Sequence, residues 1–328
     1  MSTLTPLRGS ARVVVRQHRG TLRVAGLLAL AGAVAVIGFA LRASHVIDSF
    51  AAASCEASGL SGTACDQRIM DFSGSMSLFQ RELTYAGLVL TVLPGIVSAF
   101  VAGPMIAREL ESGTYRVAWT QSVTPIRWLV AKLAVPTVLL VAGVTVLSAV
   151  LGWAQTRTAT DYPVDWFDAP VFGATAPVVV GYTLLGIAVG ALTGLLVRRT
   201  LAATAVAVVV TGAVTVALVT LRSSLWPLET TIGATEGGLD VPPESWVADF
   251  GRVTASGDRL PTDVCWRGSV SEAQEARCMA DRDITGWFVD HHPASHLWPL
   301  QLVETGIVLA LAALALTAAF RVLRRRTG

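Results

Sequence analysis

The sequence predicts an all-α integral membrane protein with six transmembrane helices and both termini in the cytoplasm. Composition, six long apolar runs and a one-sided distribution of charge predict it. Of 328 residues, 53% are hydrophobic and 15% charged, and the mean hydropathy is +0.59. Globular chains carry about 25% charged residues, so a single soluble domain and a disordered chain are excluded. A net charge of +2 offers no basic surface for nucleic acid.

A membrane helix needs about 20 mostly apolar residues. Six runs qualify: Val24–Leu41, Thr84–Ile106, Leu129–Gly152, Val171–Val197, Leu201–Leu221 and Leu300–Phe320. No Arg lies in any of them, and Glu304 is their only acid. Pro94, Pro136 and Pro177 are expected to kink these spans or mark their ends. The first run is read as an anchor rather than a cleaved signal peptide, because its apolar stretch exceeds the usual 7–15 residues and a long basic region precedes it.

Orientation follows from the positive-inside rule. With the N-terminus in the cytoplasm, the inner segments hold Arg8, Arg12, Arg16, Arg19 and Arg23; Arg108, Arg116, Arg127 and Lys132; Arg198 and Arg199; and Arg321, Arg324, Arg325 and Arg326. These 15 basic residues face two acids, Glu109 and Glu111, so the inner side carries +13 and the outer side −11. Lys132 is the only lysine, an arginine bias expected of a GC-rich, bacterial genome. The expected location is the plasma membrane.

Residues 1–23 are expected to form a cytoplasmic interfacial helix, and residues 24–328 the six-span domain with outer loops 42–83, 153–170 and 222–299. The spacing of Arg8, Arg12, Arg16, Arg19 and Arg23 places all five on one helical face. Such a face lies among anionic lipid headgroups. All four cysteines fall outside, where disulfides persist. Four cysteines permit three pairings; the local ones, Cys55 with Cys65 and Cys265 with Cys278, are preferred because each closes a short loop.

The loop Arg222–Pro299 is too long for a simple connector. Within it Ser271–Asp281 reads as a short helix, with Ser271 as N-cap and Glu272 in the first turn. His291, His292 and His296 cluster near its end, but Pro293 breaks ligand spacing and no cysteine pair adjoins. No metal site is assigned, and Trp298 is read as part of the interfacial aromatic belt. Gly186, Gly190 and Gly194 make a small-residue ridge suited to close helix packing, more within one subunit than between two.

The inner loop after the second span carries most information. Charges flank its start at Arg108, Glu109 and Glu111, and Gly113 can end a helix. Tyr115–Gln121 then fits a short helix along the membrane, and Thr124 with Pro125 caps and starts the next one.

Glu111-Ser-Gly-Thr114 resembles the Glu-x-Gly-Thr signature of permeases of the type-two (type V) ABC exporter family. Trp119-Thr-Gln-Ser122, Arg127–Lys132, Arg198-Arg-Thr200, Pro293-Ala-Ser295 and Trp298-Pro-Leu-Gln301 are also similar to family members, in the family's order. The resemblance implies an N-terminal interfacial helix, six spans and a large outer segment between spans five and six. It also implies a coupling helix that docks on a cytoplasmic ATPase, here carried by Glu111, Gly113, Thr114, Tyr115, Arg116, Trp119 and Gln121.

The sequence contains no Gly-x4-Gly-Lys-Ser/Thr phosphate loop, so ATP hydrolysis is expected on a partner chain. His-Glu-x-x-His and Gly-x-Ser-x-Gly are absent as well. The expected molecule is therefore a non-enzymatic exporter permease that needs no cofactor. Its expected partners are an ABC ATPase, a second permease copy or a similar chain, and membrane lipids. A membrane scaffold or sensor with ligand-binding outer loops is the alternative.

Overall fold

Apolar runs this long satisfy their backbone groups internally by becoming helices, which is what a hydrocarbon environment demands of a chain without a closed sheet. The computed structural model describes residues 19–52, 63–115, 124–158, 162, 164–234, 240–266 and 271–327. Helix α1 is Arg19–Ala52, α2 Thr63–Val97, α3 Gly103–Ser112, α4 Pro125–Gln155, α5 Ala169–Ala174, α6 Val178–Val197, α7 Thr200–Leu221, α8 Glu272–Asp281 and α9 Leu297–Thr327. Among the described residues six helical segments are long and apolar enough to cross a membrane. The chain divides into two compact units, a helical bundle (Met1–Ala217 with Glu304–Gly328) and a smaller unit, Leu218–Val303.

In the bundle, α1 and α2 run well past the apolar stretches, to Ala52 and back to Thr63. Within the segment expected as an outer loop, 42–83, residues 42–52 and 63–83 are therefore helical. Polar residues end the continuous apolar runs, yet Phe72, Met76, Phe79 and Leu83 keep helical spacing. They pack with Ala40, Ala43, Val46 and Ile47, and Phe50 stacks on Phe72 with centroids 4.2 Å apart.

Between α2 and α3 the chain makes a π-helical turn, Ser98–Ala102. The cause is local: Pro104, in the first turn of α3, has no N–H to give and its ring would strike a carbonyl in an unbroken α-helix. The Gly103 N–H reaches the Ser98 carbonyl instead. Two α7 hydroxyls hold the irregular turn: Thr211 Oγ1 lies 3.3 Å from Ser98 Oγ, and Thr204 donates to the Ala99 carbonyl at 3.2 Å.

Helix α6 is apolar on every side and is the most buried span. A Cβ on Gly186 would sit 2.5 Å from the Pro94 carbonyl oxygen, one on Gly190 2.7 Å from Ala102 Cβ, and one on Gly194 2.9 Å from the Gly103 oxygen. The glycine ridge thus lies against the π turn and its flanks within the same chain. The run expected as one span, Val171–Val197, is two helices, because Pro177 offers no backbone donor and interrupts the ladder; the Ala176 N–H turns to Ser148 Oγ at 2.8 Å.

The smaller unit departs from an all-α description. It holds a four-stranded antiparallel sheet in the order β1-β4-β2-β3, with β1 Glu229–Ala234, β2 Trp246–Thr254, β3 Arg259–Leu260 and β4 Ile284–His292. Helix α8 carries the Ser271 N-cap and a capping box with Gln274. Arg252 ties it to the sheet, bonding Glu275 at 3.1 Å while its guanidinium stacks 3.4 Å from the Trp287 ring. The Cys265–Cys278 disulfide joins α8 to the segment after β3.

Candidate functional site

The two acids on the basic side of the sequence both have defined partners at one end of the bundle. Helix α3 ends at Gly113, whose φ of 73° is a left-handed C-cap that a side chain would strain. One turn earlier, Glu109 receives Lys132 Nζ at 2.5 Å on one oxygen and Trp128 Nε1 at 3.0 Å on the other. Trp128 and Lys132 lie in the opening turns of α4, where Thr124 caps and Pro125 begins the helix. Glu109 therefore clamps the end of α3 to the start of α4.

Glu111 faces the other way. Its Oε2 accepts from the Thr200 backbone N–H at 3.0 Å and from the Thr200 hydroxyl at 2.7 Å. Thr200 opens α7, directly after the α6–α7 hairpin tip, so this carboxylate serves as an N-cap supplied from another helix. Arg198 ends α6 in a left-handed cap, and the Arg326 guanidinium from α9 bonds the Leu195 carbonyl. Arg108, Glu111, Ser112 and Thr200 line an open depression of about 390 Å³.

Beneath these polar contacts lies an apolar cluster containing Ile106, Trp128, Leu129, Leu133, Ala191, Leu195 and Leu323. Leu110 and Tyr115 pack against it. Tyr115 is thus half-buried in its own chain. Thr114 is exposed and lies within 3.0 Å of Ser112 through their hydroxyls.

Of the other expected site residues, Arg116, Trp119 and Gln121 lie outside the described residues, as do Arg8, Arg12 and Arg16. Arg19 is the first residue of α1, and Arg23 is exposed one turn further on. Cys65 is disulfide-bonded, and Cys55 lies outside the described residues. Among the described residues no group of three His, Cys, Asp or Glu side chains could hold a metal ion. The sequence reading missed Thr200 as the acceptor's partner and Trp128 with Lys132 as a pair. The available signal was that Glu109 and Glu111 are the only two acids in the segments that carry fifteen basic residues.

No curated protein and no solved structure matches the chain. A family model, described as ABC-2 membrane transporter related, matches residues 24–222, more than half of the 328. That stretch contains α1 from residue 24 onward, α2 through α7, and the clamped end around Glu109 and Glu111. On this match, together with six helices long enough to span a bilayer, the chain is a multi-pass membrane protein that belongs to the ABC-2 membrane transporter related family.

Proposed function

We propose that this chain is the transmembrane permease subunit of an ATP-driven exporter, worked by a separate cytoplasmic ATPase that docks on the segment between α3 and α4. The carrying observation is that both ends of that segment are braced. Glu109 ties the entry of the segment on α3 to its exit at Trp128 and Lys132 on α4, and Glu111 ties that entry to Thr200 on α7. A segment held at two points can pass a push into three helices at once, where a free loop would absorb it. The absence of a phosphate loop from the sequence agrees with work arriving through protein contact.

In this reading the basic end is cytoplasmic, both termini are inside, and the sheet unit is extracytoplasmic in a bacterial plasma membrane. Two permease copies, or this chain and a similar partner, flank the path. Arg116, Trp119 and Gln121 carry the docking contact, because interface hot spots favour Trp, Tyr and Arg, and Tyr115 anchors the segment to the bundle. The segment ahead of α1, with Arg8, Arg12 and Arg16, lies on the inner leaflet as an interfacial helix.

The test is purification in mild detergent with identification of copurifying chains, for wild type, Trp119→Ala and Gly113→Val. Trp119→Ala is expected to insert normally but lose ATPase association, a cost of about 2 kcal/mol or more for a hot spot. Gly113→Val is expected to keep association and lose transport-coupled hydrolysis. Full association and transport in both variants would remove the coupling assignment, and a wild type without any ATPase partner would favour a scaffold or sensor.

A further inference from the structure

The sheet unit contains a hydrogen-bond chain that closes only if one extra proton is present. His292, the last residue of β4, is fully buried. Its Nε2 lies 2.9 Å from the Ser223 carbonyl oxygen. A carbonyl can only accept, so Nε2 carries hydrogen. His296 places its Nε2 3.2 Å from Glu229 Oε1, and a carboxylate likewise accepts, so this nitrogen carries hydrogen too. The remaining nitrogens, both Nδ1, face one another at 3.0 Å. Two neutral rings with these tautomers would point lone pairs at each other, and a hydrogen bond between them requires one ring to hold two protons.

The two rings differ in their surroundings. His296 borders the Glu229 carboxylate, whereas His292 is enclosed. Burial lowers the His292 pKa below the ordinary histidine value, helped by the charges of His296 and His291 and opposed by the Ser223 bond and Glu229. Two aromatic rings also border the pair, Trp226 edge-to-face with His296 at a centroid distance of 6.4 Å and Trp246 tilted against His292 at 5.3 Å. His291 bonds Thr231 at 2.9 Å, and Arg222 is buried in the turn that includes Ser223.

Position gives this chain of bonds a consequence. Ser223 and Glu229 stand at the beginning of the compact unit Leu218–Val303, and His292 and His296 stand near its end. We propose that Glu229, His296, His292 and Ser223 form a single-proton clasp that holds the two ends of the sheet unit together. Removing the shared proton sets lone pair against lone pair. Adding a second sets two imidazolium rings face to face. The clasp is therefore tightest at intermediate pH and weakens on both sides, with the two steps belonging to the pair rather than to either ring.

The test uses the full chain in lipid nanodiscs with ¹⁵N-labelled histidine, and His292→Gln and His296→Gln variants to assign the signals. At about pH 6, near the ordinary histidine value, His296 is expected to carry protons on both nitrogens and His292 on Nε2 alone. Two neutral rings at that pH, a His292 protonated on Nδ1, or a stoichiometric metal bound by the pair would overturn the proposal. Amide exchange in Glu229–Ala234, corrected for intrinsic rates, gives a second reading. Above the ordinary aspartate range, protection is expected to peak at intermediate pH in wild type and to fall roughly tenfold, the scale of one charge-assisted hydrogen bond, with a flat profile over the same range in His296→Gln. Identical pH profiles in the two proteins would also overturn it.

Discussion

Single carboxylates decide how much of this molecule is held. Glu111 caps α7 from a different helix, so its loss should be felt first at the α7 N-terminus. Glu111→Ala is expected to speed amide exchange in the first turn of α7, leaving the rest of that helix unchanged. Glu111→Gln, which keeps an accepting oxygen, should lie between wild type and alanine. Equal exchange in all three would mean that Thr200 finds another acceptor. Asp290 offers a pH handle in the sheet unit. Burial alone would raise its pKa, but bonds from Thr230 and Arg259, with the Arg259 and His291 charges, outweigh burial and lower it. A carboxyl lowered in the folded state contributes stability above its unfolded value and loses it as pH falls through the folded value. Acidification below the ordinary aspartate range should therefore weaken the sheet unit, and Asp290→Asn should remove that part of the pH dependence. Tryptophan fluorescence against pH checks both outcomes.

Among the elements, α6 tolerates least change. Its glycine ridge lets the π turn and α3 approach to within contact of its backbone, and Gly190 is the tightest point facing Ala102 and Gly103. Gly190→Leu should destabilise by about 1–3 kcal/mol through overpacking, measured as a lower melting temperature in detergent. Gly212 on α7 has open space around it, and Gly212→Leu is the matched control with little expected effect. An equal drop for the two variants would point to helix-wide damage rather than to the ridge. The ridge also explains why α2 can afford a π turn there: Gly190 leaves room for the Ser98 carbonyl that the wider turn displaces, and the α7 threonines satisfy its loose polar groups.

At the scale of the whole molecule, the charge asymmetry predicts that all four cysteines face the oxidising side. Alkylation of intact cells with a membrane-impermeant reagent is expected to label none until a reductant is added. Labelling that requires membrane permeabilisation would invert the topology. The disulfide between Cys265 and Cys278 agrees with an oxidising location and staples α8 to the sheet unit.

Hydropathy and charge, both additive along the chain, determined the six apolar spans, the basic character of one side and the candidate bracing acids. The Ser271 cap and the Gly113 helix end were legible for the same reason, since each depends on neighbours a few residues away. What the tertiary structure decided is non-local. The sheet was illegible because its strands pair residues far apart in sequence, such as Glu229 with His291, and no short window records a partner. The extension of α1 to Ala52 and of α2 back to Thr63 was hidden because polar residues break the apolar run while the buried face continues. The Glu111–Thr200 bond joins positions 89 residues apart, and only folding brings a carboxylate to that helix end. The sequence by itself determined where a bilayer would take the chain; side-chain partners across helices determined which residues brace it, because hydrogen bonds require proximity that composition does not encode.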